Sequence, residues 1–172
     1  VHEAMANPLI MGLLDKVEMN EIVPYIPPVP DTNLGDYYHL IVERFSNPEV
    51  ADTERRLCLD GSNRQPKFIV PSIRDALAAG GSVEGLALVS ALWCRYCHGE
   101  TDSGTPIAPN DPDWEALVQR SKAAKTRPAA WLEMVAVYGD LGQDTKFASA
   151  FERHLNRLWA VGTKETLTEY LA

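Results

Sequence analysis

The chain has 172 residues, with 24 Asp and Glu against 16 Lys and Arg and a net charge of -8. So acidic a surface lacks the basic face that nucleic-acid binding needs, and the length suits one domain with a real core. Hydrophobic residues at 45% and charged residues at 23% exclude disorder, and no apolar run approaches the ~20 residues that cross a bilayer.

In chain order, VHEAMANPLIMGLL opens like a helix already under way, and the expectation is a piece of something longer. Asn7 then Pro8 is a capped helix start, and Leu9, Ile10, Leu13, Leu14, Val17 and Ile22 keep helical spacing as far as Pro24. PYIPPVPDTNLG is too proline-rich for a helix and reads as an extended connector. Residues 35–46 form the next helix, and a short one runs from Val50 to Cys58, ending at Asp60-Gly61. QPKFIVPSIRDALAAGG follows, closed by Gly80-Gly81 as a left-handed stop. Ser82 opens SVEGLALVSALWCRYCHG, apolar on nearly every side and so the central buried helix. After the polar loop ETDSGTPIAPND, helices are expected near 111–125, 128–138, 145–161 and 163–171. Nothing alternates with period two. The fold class is all-α, a compact multi-helix domain over residues 1–172.

Several patterns resemble functional motifs without their context. Cys94-Arg95-Tyr96-Cys97-His98 has the spacing of a c-type haem attachment, but it ends the most apolar helix, where cysteines read as packed small hydrophobes. No second ligand pair exists for zinc, and no metal is expected. His98, near a helix end, reads as a capping cation. GGSVEG lacks the spacing and lysine of a nucleotide loop. Cys58 has no histidine beside it to activate it and reads as buried and inert. Trp93, Trp114, Trp131 and Trp159 read as core. Three cysteines make no disulfide framework, which points to a reducing cytoplasm.

RRLCLDGSNRQPKF, residues 55–68, resists that bland reading. It places Arg55, Arg56, Arg64 and Lys67 around the Asp60-Gly61-Ser62-Asn63 turn. Arginine carries five donors in a fixed fork, suited to several hydroxyls or a carboxylate on one ligand. Arg56 and Arg64 can reach in from the flanking helices, while Arg55 points to the solvated side.

Together with VERFSNP and NPLIMGLLDKVEMNEIVP, this run resembles the C-terminal domain of the long-chain polyol dehydrogenases, the mannitol dehydrogenase family, within the 6-phosphogluconate dehydrogenase-like superfamily. The resemblance covers nearly the whole chain. It implies a substrate-side helical domain whose partner is its own N-terminal Rossmann domain, absent here. NAD or NADP would be bound mainly by that missing domain, and the active site would lie between the two. The proton-accepting lysine, with an asparagine and a histidine, would precede Val1, so the chain alone holds no catalytic residue. Arg56 falls on an arginine that contacts the polyol, Arg64 on a position usually lysine, and Leu59 on a position that is histidine in mannitol enzymes. Asp60 belongs to the same turn. The implied activity is NAD(P)-dependent interconversion of a sugar polyol, such as mannitol or arabinitol, and its 2-ketose. A keto-uronate (fructuronate-type) reductase is the alternative, since two arginines without histidine suit a carboxylate. A non-catalytic helical binding module is the reading from a different class.

Overall fold

The computed structural model describes residues 1–172. It begins with α1 (His2–Met5) and α2 (Pro8–Val17). The Asn7 side chain caps α2 by accepting from the Leu9 N–H at 2.9 Å, as the Asn-Pro pair predicts. The helical path then widens into a π-helical turn, Glu18–Ile22, and tightens through Val23–Tyr25. The proline-rich stretch beyond is irregular up to α3 (Leu34–Ser46), which Asn33 caps at 2.9 Å. Next come α4 (Glu54–Leu57), shorter than the expected 50–58, α5 (Gly61–Arg64), a second π turn (Gln65–Ile69) and α6 (Val70–Ala78). α6 ends with Gly80 at φ +72°, the Gly80 N–H bonded to the Leu77 carbonyl and the Gly81 N–H to that of Ala76. This is the Schellman arrangement that the double glycine predicts.

The second half contains α7 (Glu84–Tyr96), α8 (Trp114–Ala124), α9 (Ala129–Leu132), α10 (Val135–Tyr138), α11 (Thr145–Val161) and α12 (Thr163–Leu171). The only extended pairing is one isolated bridge, Glu100 to Pro106. The expected single helix over 128–138 is in fact two turns, because Met134 (ψ 88°) leaves the helical region. The break lets the Trp131 indole N–H donate to the Tyr138 hydroxyl at 3.0 Å in the core. In one continuous helix those residues would stand about 10 Å apart along the axis.

α7 is the hub. Leu86, Ala87, Leu88, Ala91 and Cys94 are all fully buried, and α7 packs most extensively against α11, whose Phe147, Phe151, Leu155 and Leu158 are buried as well. Trp93 packs edge-on against Trp131 with ring centroids 4.8 Å apart. Trp131 and Trp114 are buried and Trp93 and Trp159 half-buried, so the tryptophans do belong to the core and its margin. Cys94 and Cys97 are buried and unpaired, and burial pushes the Cys94 thiol up to about 12. His98 is not a capping cation. It packs edge-on against Trp159 at 4.7 Å, and burial lowers its pKa, with Arg95 and Lys125 adding to the effect.

One buried charge organises the start of the hub. α7 has no capping side chain from its own N-cap residue, Val83. The carboxylate of Glu21, only 3% exposed, arrives from the first π turn and accepts from the N–H groups of Gly85 (3.0 Å) and Leu86 (2.9 Å) and from the Ser82 hydroxyl (2.7 Å). Gly85 makes the approach possible, since a Cβ there would lie 2.5 Å from both Val17 Cγ2 and Tyr170 Oη. Removing the carboxylate leaves two buried N–H groups unpaired, each costing about 1–3 kcal/mol. Glu21→Ala is therefore expected to lower the urea midpoint sharply, and Glu21→Gln, which keeps one acceptor oxygen, to lower it less. Gly85→Ala should cost about 1–3 kcal/mol through overpacking in the same measurement.

Candidate functional site

The segment from residue 52 to 68 is built as a short helix, a left-handed corner and a second short helix. Thr53 caps α4 through its hydroxyl, which accepts from the Arg56 N–H at 3.2 Å. Asp60 makes the corner at φ +61°, a conformation that Asp tolerates better than most residues. Gly61 then passes so close to the core that a Cβ there would sit 2.5 Å from the Trp93 indole nitrogen. The second π turn follows directly; such widened turns concentrate at functional sites.

The corner is clamped onto the loop before α8. The Asp60 N–H donates to the Asn110 carbonyl at 3.1 Å, and the Asn110 amide donates to the Cys58 carbonyl at 3.2 Å. The Asp111 carboxylate accepts from both the N–H and the hydroxyl of Ser62, each at 2.8 Å. Arg55 completes the clamp, reaching the carbonyls of Ala108 (3.0 Å) and Pro109 (2.5 Å). Arg55 is exposed, as expected, and its guanidinium also ties α4 to the loop before α8.

Arg56, one position on, turns to the other side. Its Nε and Nη2 both donate to the carboxylate of Asp52, a bidentate fork. These hydrogen bonds hold the Asp52 carboxyl down at about 2. Arg64 leans across the turn, Nη1 donating to the Leu57 carbonyl at 3.4 Å. Asp60 Oδ1 accepts from the Asn63 amide at 2.7 Å. Leu59 is 39% exposed, and Arg56, Arg64 and Lys67 also face outward. The structure thus places Arg56, Leu59, Asp60 and Arg64 on one braced turn, as an open wall rather than a closed pocket. Cys58 is exposed, not buried as expected. Its thiol is nevertheless held above its ordinary value, by desolvation first and then by the Glu54 carboxylate, so it is not an activated nucleophile.

A dinucleotide fold needs parallel strands and a glycine-rich strand-to-helix turn. The chain has neither, so these residues do not by themselves build a seat for NAD. No group of three or more His, Cys, Asp or Glu side chains is placed to hold a metal ion. Sequence reasoning missed Asp52, Asn110 and Asp111. Asp52 had a local signal, an acid four residues before an arginine. Asn110 and Asp111 had none, because their partners lie about 50 residues away in the chain.

The mannitol dehydrogenase C-terminal domain family model matches residues 1–159. A mannitol 2-dehydrogenase of Cereibacter sphaeroides is 60% identical over 172 residues, covering 100% of this chain and 36% of that protein. One from Aspergillus oryzae is 34% identical, covering 99% of this chain and 34% of that protein. The chain therefore spans about a third of the length of these relatives. Among solved structures, Pseudomonas fluorescens mannitol 2-dehydrogenase in ternary complex with NAD and D-mannitol aligns with a TM-score of 0.92 at 33% identity, over 99% of this chain and 35% of that one. D-sorbitol dehydrogenase in substrate-free form shares the fold, with a TM-score of 0.85 at 19% identity, over 96% of this chain and 34% of that one.

Two outcomes follow from the turn's geometry. The Asp52 carboxyl titrates lower when folded than when unfolded, so the ion pair's contribution is complete above about pH 4. That contribution is lost as pH falls through about 2. Carbon NMR of the Asp52 carboxyl should show that low midpoint, and Arg56→Ala should return it to the ordinary carboxylate range. Arg55→Ala should loosen the contact between the turn and residues 108–111, read as faster amide exchange at Asp60 and Ser62.

Proposed function

The chain belongs to the mannitol dehydrogenase C-terminal domain family, and from that premise we propose that it is the substrate-side domain of an NAD(P)-dependent oxidoreductase interconverting mannitol and its 2-ketose. The observation that carries the reading is the likeness of the whole chain, at a TM-score of 0.92, to an enzyme holding NAD and D-mannitol. The chemistry of the turn agrees with it. Arginine has five N–H donors, and Arg56 spends two on Asp52; five minus two leaves three for a ligand. Already neutralised by Asp52, this guanidinium is suited to neutral hydroxyls and less to a second carboxylate. Arg64 supplies a second cationic donor beside it, and Leu59 offers an apolar edge with no hydrogen bond to give. Asp60 holds the corner that sets the spacing between the two arginines.

The chain's share of the reaction is binding and orientation. Hydride transfer requires the nicotinamide of NAD or NADP, which the rest of the full-length protein would hold, together with the proton acceptor. The three unpaired cysteines fit a reducing compartment such as the cytoplasm.

The test uses purified full-length protein with mannitol, arabinitol and a keto-uronate, each with NAD and NADP. Preference for mannitol and its ketose supports the reading, preference for the keto-uronate replaces it with a uronate reductase, and no turnover of any of them leaves a binding module. The 172 residues alone should show no turnover. A charged hydrogen bond to a bound hydroxyl contributes about 1.5–3 kcal/mol, so Arg56→Ala should lower kcat/KM for mannitol about tenfold or more. Arg64→Lys should be tolerated, because one ammonium can serve one hydroxyl.

A further inference from the structure

The first third of the chain is built to be covered. Of the 35 buried residues, only Leu13, Val17, Glu21 and Tyr38 precede Val70. α3 is the clearest case: 13 residues long, it buries only Tyr38. Yet Leu34, Tyr37, Tyr38, Ile41, Val42 and Phe45 recur at the spacing of one helical face, and all six line a single groove of about 450 Å³. Met5 of α1, Leu14 of α2 and Leu57 of α4 form its other walls, and 12 of its 13 lining residues are hydrophobic. Tyr37 stands 56% exposed in it. The remaining lining residue, Glu18, has its pKa raised by burial in these apolar surroundings.

The occupant follows from two further facts. The family matched is a C-terminal domain, and this chain covers 36% of a relative 60% identical to it, so most of such a protein precedes the part seen here. Val1 itself lines the groove, so polypeptide joined to it starts at the rim. A segment tethered there reaches an effective concentration in the millimolar range, far above that of a separate partner. The stripe on α3 runs from residue 34 to 45, about 16 Å along the axis, enough to seat roughly three turns of another helix.

We propose that the groove between α1, α2 and α3 is the seat of an apolar helical segment of the same polypeptide, contributed by the part of the full-length protein that precedes Val1. This rests on the reading of the chain as the C-terminal portion of a longer enzyme. The seated face should be rich in Leu, Ile, Val or Ala, with one hydrogen-bond donor opposite Glu18. Leu57 ties this seat to the substrate turn: it is among the residues lining the groove, and its carbonyl accepts from Arg64. A helix held in the groove would therefore lie beside the Arg56–Arg64 wall.

The test uses purified full-length protein in which Phe45 is replaced by p-benzoylphenylalanine. After irradiation, mass spectrometry should find the link within one polypeptide, to a peptide N-terminal to Val1. A link between two chains would assign the groove to a second copy and overturn the proposal, and so would a link only to residues 1–172. A measurement without substitution guards against a variant that fails to fold. Hydroxyl-radical footprinting of native full-length protein should find Tyr37 and Phe45 protected, with protection lost in urea. Modification of Tyr37 as fast in the native protein as in urea would show an open groove and overturn the proposal. Mannitol turnover is assayed on the same sample, so an inactive protein with a linked upstream peptide counts against the assigned function alone.

Discussion

A carboxylate with no cation among its hydrogen-bond partners sits where three parts of this domain meet. Glu21 leaves the π turn after α2, enters the core and closes the N-terminus of α7, the helix against which the others are arranged. Burying an unpaired charge is costly. Three hydrogen bonds and the positive end of the helix dipole offset that cost. The arrangement fixes α2 against α7 through a glycine whose Cβ would crowd Val17 and Tyr170. Any slip of the hub along its axis would leave both the carboxylate and the helix end unsatisfied.

The same device recurs at two smaller scales. α12 has no capping side chain of its own, and its first N–H donates to Asp102 at 2.6 Å, a carboxylate from the loop after α7 that also pairs with Arg95. α5 likewise lacks a local cap, and Asp111 supplies one from the loop before α8. In each case a carboxylate distant in sequence satisfies donors that the helix cannot satisfy itself. Loops that look merely polar in the sequence thereby become fasteners.

The turn that carries Arg56 and Arg64 is held by the same kind of contact. Arg55 and Arg56 are neighbours with opposite duties: one anchors the turn to carbonyls of the next loop, the other is held by Asp52 with donors to spare. Surface ion pairs contribute little stability on average. What the Asp52 fork does is orient, since two hydrogen bonds to one carboxylate fix the guanidinium in one plane. The Gly61–Trp93 contact seats the turn on the hub, so the position of the arginines is inherited from the core.

Much of this was legible in the chain of letters. Asn7-Pro8, Gly80-Gly81 and the apolar run from Leu86 to Cys94 fix helix starts, stops and burial, because caps, left-handed stops and hydrophobic faces act over a few residues. The cluster of Arg56, Leu59, Asp60 and Arg64 on one turn was equally local. The tertiary structure alone decided what each partner is: Glu21 for α7, Asp111 for Ser62, Ala108 and Pro109 for Arg55, and the break at Met134 that joins Trp131 to Tyr138. Charges and carbonyls that meet across about 50 residues or more leave no periodic trace in the sequence. Their pairing is set by where packing brings the chain, and a polar residue in a loop looks the same whether it faces water or closes a helix.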